Sequence, residues 1–157
     1  MTVTVNSQKS DVLLALTHLV RQVSGKTRMQ KLAFLLQKES GIDRFQNLFS
    51  FEPYYYGPYS EELARLMTSL AQEGLLEADQ YHYGSNGEER VTNSYSVSAK
   101  GRARAVQFLE SLPPQERAQL SSLAARYQFE PLPKILEHVY SRYPEMAINS
   151  QWTGRRT

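Results

Sequence analysis

Val12, Leu13, Leu16, Leu19, Val20 and Val23 recur at i, i+1, i+4, i+7, i+8 and i+11, the spacing that gathers apolar side chains into one stripe of a helix. The first expected element is therefore an amphipathic helix, with Gly25 as its stop. Met29, Leu32, Ala33 and Leu36 repeat the pattern, and Phe34 with Leu35 widens the apolar face, so the second helix should be buried on more than one side. Its first turns carry Lys26, Arg28 and Lys31. Cations there oppose the helix macrodipole, so a solvated face competes with a contact to an anion or an acidic partner as their explanation.

The pattern then changes. Residues 45–59 hold seven of the seventeen aromatics, with Pro53, Gly57 and Pro58 among them. Proline lacks an N–H and pushes its predecessor toward an extended backbone, so a strand or extended segment is expected from about Phe49 to Tyr56. Side chains alternate across a strand, so either Tyr55 or both Tyr54 and Tyr56 should face outward. Ser60 suits an N-cap, Glu61 and Glu62 suit the positive end of the helix dipole, and Leu63, Leu66, Met67 and Leu70 give a third helix closed by Gly74. Asn86-Gly87, between Tyr81 and Tyr83 on one side and Val91, Tyr95 and Val97 on the other, signals a β-hairpin. Ser98 should cap a fourth helix (Ala103, Val106, Leu109) ending before Pro113-Pro114. A fifth carries Leu120, Leu123, Ala124 and Tyr127; a sixth, opened by Pro133, carries Ile135, Leu136, Val139, Tyr140 and Tyr143 and stops at Pro144.

This order defines a mainly α chain with a small β-hairpin, an α+β domain. Three helices leading into a hairpin give a winged helix–turn–helix-like core, here with an aromatic insertion of roughly eighteen residues between the second and third helices, where the motif has only a few, and with two extra C-terminal helices. Residues 1–148 read as one such domain and 149–157 as a flexible tail. A chain of this length buries about 68–70% of its unfolded surface, so one core suffices.

The stretch KTRMQKLAFLLQKES, followed by FEPYYYGPYSEELARLMTSLAQEGLL, YSVSAKGRARA and LEHVYSRYPEM, resembles the bacterial YwgA-like proteins and, more distantly, the Panacea or SocA-like domain. The likeness covers roughly residues 10–148, and YYYGPYSEEL is its most specific part. The shared positions are Lys26, Gln30, Lys31, Leu32, Tyr55, Tyr56, Gly57, Pro58, Tyr59 and Ser60. The resemblance implies a mostly helical domain with a winged-helix-like hairpin, no known catalytic set, and an antitoxin or adaptor role in which a partner protein is bound.

Composition removes several chemistries. With no cysteine there is no thiolate nucleophile, Cys-ligated metal or disulfide. The N-terminus lacks a basic start followed by an apolar core, and no apolar run approaches the ~20 residues of a membrane span, so a cytoplasmic protein with no membrane contact is expected. His18, His82 and His138 show no HExxH or HxH spacing, and there is no GxSxG elbow, P-loop or GxGxxG. The GSNG at 84–87 reads as a turn, because Glu88 and Glu89 follow it. Neither an enzyme nor a cofactor or metal is expected.

The net charge of +2 conceals a segregation: residues 1–40 carry +4, 41–83 carry −5, 84–112 carry +1 and 113–157 carry +2. The acidic block contains the third helix, which in a DNA-binding winged helix enters the major groove. That helix has Arg65 against Glu61, Glu62 and Glu73, and phosphate contacts supply most of the affinity for DNA. The expected site is therefore a protein-binding surface of Tyr54, Tyr55, Tyr56, Tyr59, Glu61, Glu62 and Arg65, tyrosine being favoured at interface hot spots. The expected partner is a toxin or regulatory protein, with a homodimer allowed. The alternative is a winged-helix DNA-binding transcriptional regulator that uses Lys26, Arg28, Lys31, Arg90, Lys100, Arg102 and Arg104, if the fold joins these cations into one patch.

Overall fold

α2 (Lys26–Glu39) runs through the centre of the molecule, buried without interruption from Met29 to Gln37. α1 (Val5–Val20), α3 (Glu61–Gln72), α4 (Ala99–Ser111), α5 (Pro114–Tyr127) and α6 (Leu132–Arg142) complete the helices. α1 packs on α4 and α5, while α2 packs on α3, α5 and α6. The computed structural model describes residues 5–83 and 90–151. The side chains of residues 5–7, 81–83 and 90–92, including His82 and Arg90, lie outside the description, as do the Asn86-Gly87 turn, Glu88, Glu89 and residues 152–157.

Two small antiparallel sheets accompany the helices. In the first, β1 (Val23–Ser24), β4 (Leu76–Tyr83) and β5 (Arg90–Val97) lie in the order β1-β5-β4. β4 and β5 form the expected hairpin, registered from Leu76 opposite Val97 to Tyr83 opposite Arg90. The second is a hairpin of β2 (Glu52–Tyr54) and β3 (Gly57–Tyr59). The chain is thus mainly helical with a small antiparallel sheet.

The caps at Ser60 and Ser98 form as expected: Ser60 Oγ accepts from Leu63 N at 3.2 Å, and Ser98 Oγ from Gly101 N at 3.0 Å. Gly101 also marks a close approach, since a Cβ there would stand 2.0 Å from the Leu75 carbonyl oxygen. Only glycine lets α4 start against the end of α3.

Three expectations are corrected. The first helix stops at Val20, not Gly25. Arg21 turns the chain at φ 74°, and Val23, which fits the helical stripe by spacing, is instead a fully buried strand residue paired with Tyr95. Gly25 immediately precedes α2, its N–H donating to Asn93 O at 2.7 Å. Second, the extended run to Tyr56 is a hairpin that reverses at Tyr55-Tyr56. Strand alternation therefore ends at Tyr54, and all three tyrosines are exposed, at 48%, 57% and 50%. Third, the tail is held where it begins: after a 3-10 turn (Pro144–Ala147), Asn149 Nδ2 donates to Pro53 O at 3.0 Å and Gln151 N to Tyr55 O at 2.7 Å. Among the described residues no helix is long and apolar enough to cross a membrane.

Candidate functional site

The β2–β3 hairpin stands on α2 through three polar side chains. Gln30 is buried and grips Ser60 at both ends of its amide, accepting from Ser60 N at 2.8 Å and donating to Ser60 O at 2.9 Å. One turn-and-face equivalent further, at i+7, Gln37 accepts from Phe49 N at 2.7 Å and donates to Phe49 O at 3.2 Å and Gln46 O at 3.1 Å. Each amide supplies what a neighbouring strand would otherwise give to the backbone of the insertion.

Lys31, the third, is buried at 2% exposure and donates to Pro58 O at 2.9 Å. Burial lowers its pKa to about 7, because a charged ammonium loses hydration there. A Cβ at Gly57, whose φ is 88°, would lie 3.3 Å from Lys31 Cε and 3.4 Å from Tyr140 Cε1, so the hairpin can lie this close to α2 only with glycine at that position.

What this foundation holds outward is aromatic and acidic. Glu52 pairs across the hairpin with Tyr59, and residues opposite one another share a face; Tyr54, two residues from Glu52, shares it too. Tyr54 and Tyr59 stack at 4.7 Å between ring centres, tilted by 15°, and the Tyr55 ring lies 6.2 Å from Tyr54. Tyr59 Oη donates to Glu61 Oε2 at 3.2 Å, and Arg65 Nε reaches Glu61 Oε1 at 3.5 Å. Burial first, then the Glu61 charge, raises the Tyr59 pKa. Tyr54, Tyr55, Tyr59, Glu61 and Arg65 thus form one continuous surface, with Tyr56 exposed at its turn. Glu62 lines a depression with Glu61 and Arg65, and its carboxylate is paired with Lys9 on α1.

Of the seven cations of the nucleic-acid alternative, the six whose side chains are described have different surroundings. Lys31 is buried under the hairpin, which corrects its placement on a surface. Arg28 Nη1 donates to Glu130 O at 2.7 Å, on the α5–α6 connection. Lys26 lines a groove of about 450 Å³ with Thr68, Gln72, Asn93 and Tyr95. Lys100 and Arg104 line a depression with Glu73, and Arg104 Nε binds Asp11 Oδ1 at 2.7 Å. Arg102 lies by His18, whose pKa falls through burial and the charges of Arg102 and Arg21. The seventh, Arg90, opens β5, and its side chain is outside the described residues.

A second polar cluster, unread from sequence, closes the other end of α2. Glu39 Oε2 accepts from Tyr143 Oη at 3.0 Å and meets His138 Nε2 at 2.7 Å, while Oε1 accepts from Tyr127 Oη and faces Arg126 Nη1 at 3.5 Å. Burial pushes the Glu39 carboxyl up, but the bonds from Tyr127, His138 and Tyr143 outweigh it and hold it below its ordinary value. Burial and the same carboxylate raise both tyrosines, Tyr143 to about 12. His138 and His18 do not converge, since His18 sits by Arg21 and Arg102. Among the described residues no three His, Asp or Glu side chains could hold a metal ion. No protein-family model matches the chain, and no curated protein sequence matches it.

Proposed function

We propose that the protein is a non-catalytic interaction module of winged-helix type that binds a basic segment of a partner protein on its tyrosine hairpin, in an antitoxin-like or adaptor-like role. The observation that carries the reading is the exposure of Tyr54, Tyr55 and Tyr56 on a hairpin whose backbone is clamped from below by Gln30 and Lys31. Rigidly held aromatic rings lose little entropy on binding and offer large apolar area with a polar edge. Glu52 and Glu61 beside them favour arginine or lysine, which also lies well over an aromatic face. The element order, with β1 joining the β4–β5 hairpin between helices, supports the winged-helix description. The resemblance to YwgA-like and Panacea domains supports the role.

Affinity purification from the native cell with nuclease, comparing wild type with Tyr55→Ala and Glu61→Lys, tests this reading. A partner retained by wild type and lost from both variants, at unchanged urea midpoint, is the expected result. Equal recovery by all three removes the site.

One observation favours DNA as a second reading: Lys26 lines the groove between α3 and β5, where a winged helix meets its duplex. A binding titration across salt separates the two, since phosphate contacts give a steep fall of log K with log salt. No duplex binding at low salt leaves the protein partner alone.

A further inference from the structure

The face of α3 that meets the β4–β5 hairpin carries small side chains. Ala64, Thr68 and Ala71 recur there at i, i+4 and i+7, and Ala78 on β4 lines the same groove. Where a helix packs on strands, methyl groups leave space that a larger apolar side chain would fill. The space here is about 450 Å³, with the buried Met67 at its base. It falls within the ~300–1,000 Å³ of small-molecule sites, which pair an apolar wall with a few convergent polar groups.

The polar groups are present at one end. Asn93 and Tyr95, two apart on β5, share a face of the sheet, and Asn93 Nδ2 donates to Tyr95 Oη at 3.4 Å. Gly25 N donates to Asn93 O at 2.7 Å, which brings Lys26, the first residue of α2, to the same end. Lys26 is the one charged residue among those that line the groove. It stands where a cation opposes the helix dipole, in a first turn with neither an acid nor a side-chain cap, so the stability of α2 does not account for it.

We propose that this groove binds one small organic acid with an apolar body, the acid group beside Lys26 and Asn93 and the body against Ala64, Met67, Ala71 and Ala78. Charge complementarity selects this occupant: a single cation and no carboxylate suit one anionic group, whereas a duplex is held through several phosphates. The site is separate from the tyrosine face and does not depend on it, Tyr59 being the residue the two have in common.

A fluorescence titration of the full chain with anilinonaphthalene sulfonate, an apolar body bearing one anionic group, tests the proposal against its uncharged counterpart N-phenylnaphthylamine. Wild type should bind the sulfonate at one saturable site. Lys26→Gln should weaken the sulfonate several-fold and leave the uncharged probe unchanged. Ala71 and Ala78 are both exposed, so Ala71→Phe or, from the opposite wall, Ala78→Phe should fill the groove and abolish binding of both probes at unchanged urea midpoint. Tyr55→Ala should alter neither, which keeps this site distinguishable from the partner surface. Absence of saturable binding in wild type, binding indifferent to both phenylalanines, or binding lost with Tyr55→Ala would each overturn the proposal. Displacement of the sulfonate by a duplex oligonucleotide would overturn it in favour of DNA.

Discussion

Two groups of tyrosines hang from the two ends of α2 and are built in opposite ways. Tyr127 and Tyr143 turn their hydroxyls inward onto Glu39, where each is desolvated and hydrogen-bonded and its proton is held more tightly than usual. Tyr54, Tyr55 and Tyr56 turn their rings outward, while the backbone beneath them is fastened by Gln30, Lys31 and Asn149. In the first group the side chain holds the fold together. In the second the fold holds the side chain out. Removing a residue of the first group should cost stability, and removing one of the second should cost only binding.

The largest effect is expected at Glu39. Glu39→Ala strands two part-buried hydroxyls and His138, and should lower unfolding free energy by about 3 kcal/mol in urea denaturation. Glu39→Gln keeps the shape and should cost less, but should flatten the acid limb. A carboxyl whose folded pKa is depressed contributes stability that is present above its unfolded pKa and lost as pH falls through the folded value. A wild-type acid limb identical to that of the variant would remove Glu39 as the hub.

Gln30→Ala comes next. It leaves Ser60 N–H unpaired in the interior, while Ser60 C=O keeps its bond from Ala64 N, for a loss of about 2 kcal/mol, and should weaken partner capture as well, since the hairpin is no longer fixed. Retained capture at reduced stability would show that the clamp does not position the tyrosines.

Lys31 sharpens the comparison through pH. With a folded pKa near 7 against 10.5, the unfolded chain holds the extra proton between those values, so stability rises with pH across that window. Lys31→Met should abolish this rise and be at least as stable as wild type at mildly acidic pH, within about 1 kcal/mol, because an apolar side chain of similar length carries no buried charge. Urea midpoints at pH 6 and pH 9 check it.

The smallest stability change belongs to Tyr55→Ala, within about 0.5 kcal/mol, alongside a loss of partner affinity of roughly tenfold or more. A Tyr55 variant that unfolds as readily as Glu39→Ala would erase the distinction between the two groups.

Sequence reading succeeded where the determinants are local. Helix stripes, the caps at Ser60 and Ser98 and the β4–β5 hairpin all follow from residues a few positions apart. It missed β1 because a two-residue strand is defined by its partner Tyr95, far along the chain, while Val23 satisfies the preceding helical stripe equally well. The β2–β3 reversal escaped because Tyr55-Tyr56 carries none of the usual turn chemistry, which sits one residue later at Gly57. The exposed tyrosines and the Glu61–Arg65 pair were legible as a surface. The spending of Glu62 on Lys9 was not, since α1 and α3 are brought together only by the fold. Gln37 read as an ordinary polar position of a helix, Gln30 only as a position shared in the resemblance, and Lys31 as a surface cation; the signal for burial was that all three are polar inside an otherwise apolar run.

Gln30 with Ser60, and Lys31 with Gly57 and Pro58, touch one another rather than the outside. These contacts bolt a loop to a helix. The hairpin is in that sense a display platform: its foundation faces α2, and what it presents outward is Tyr54, Tyr55, Tyr56 and their acidic flank.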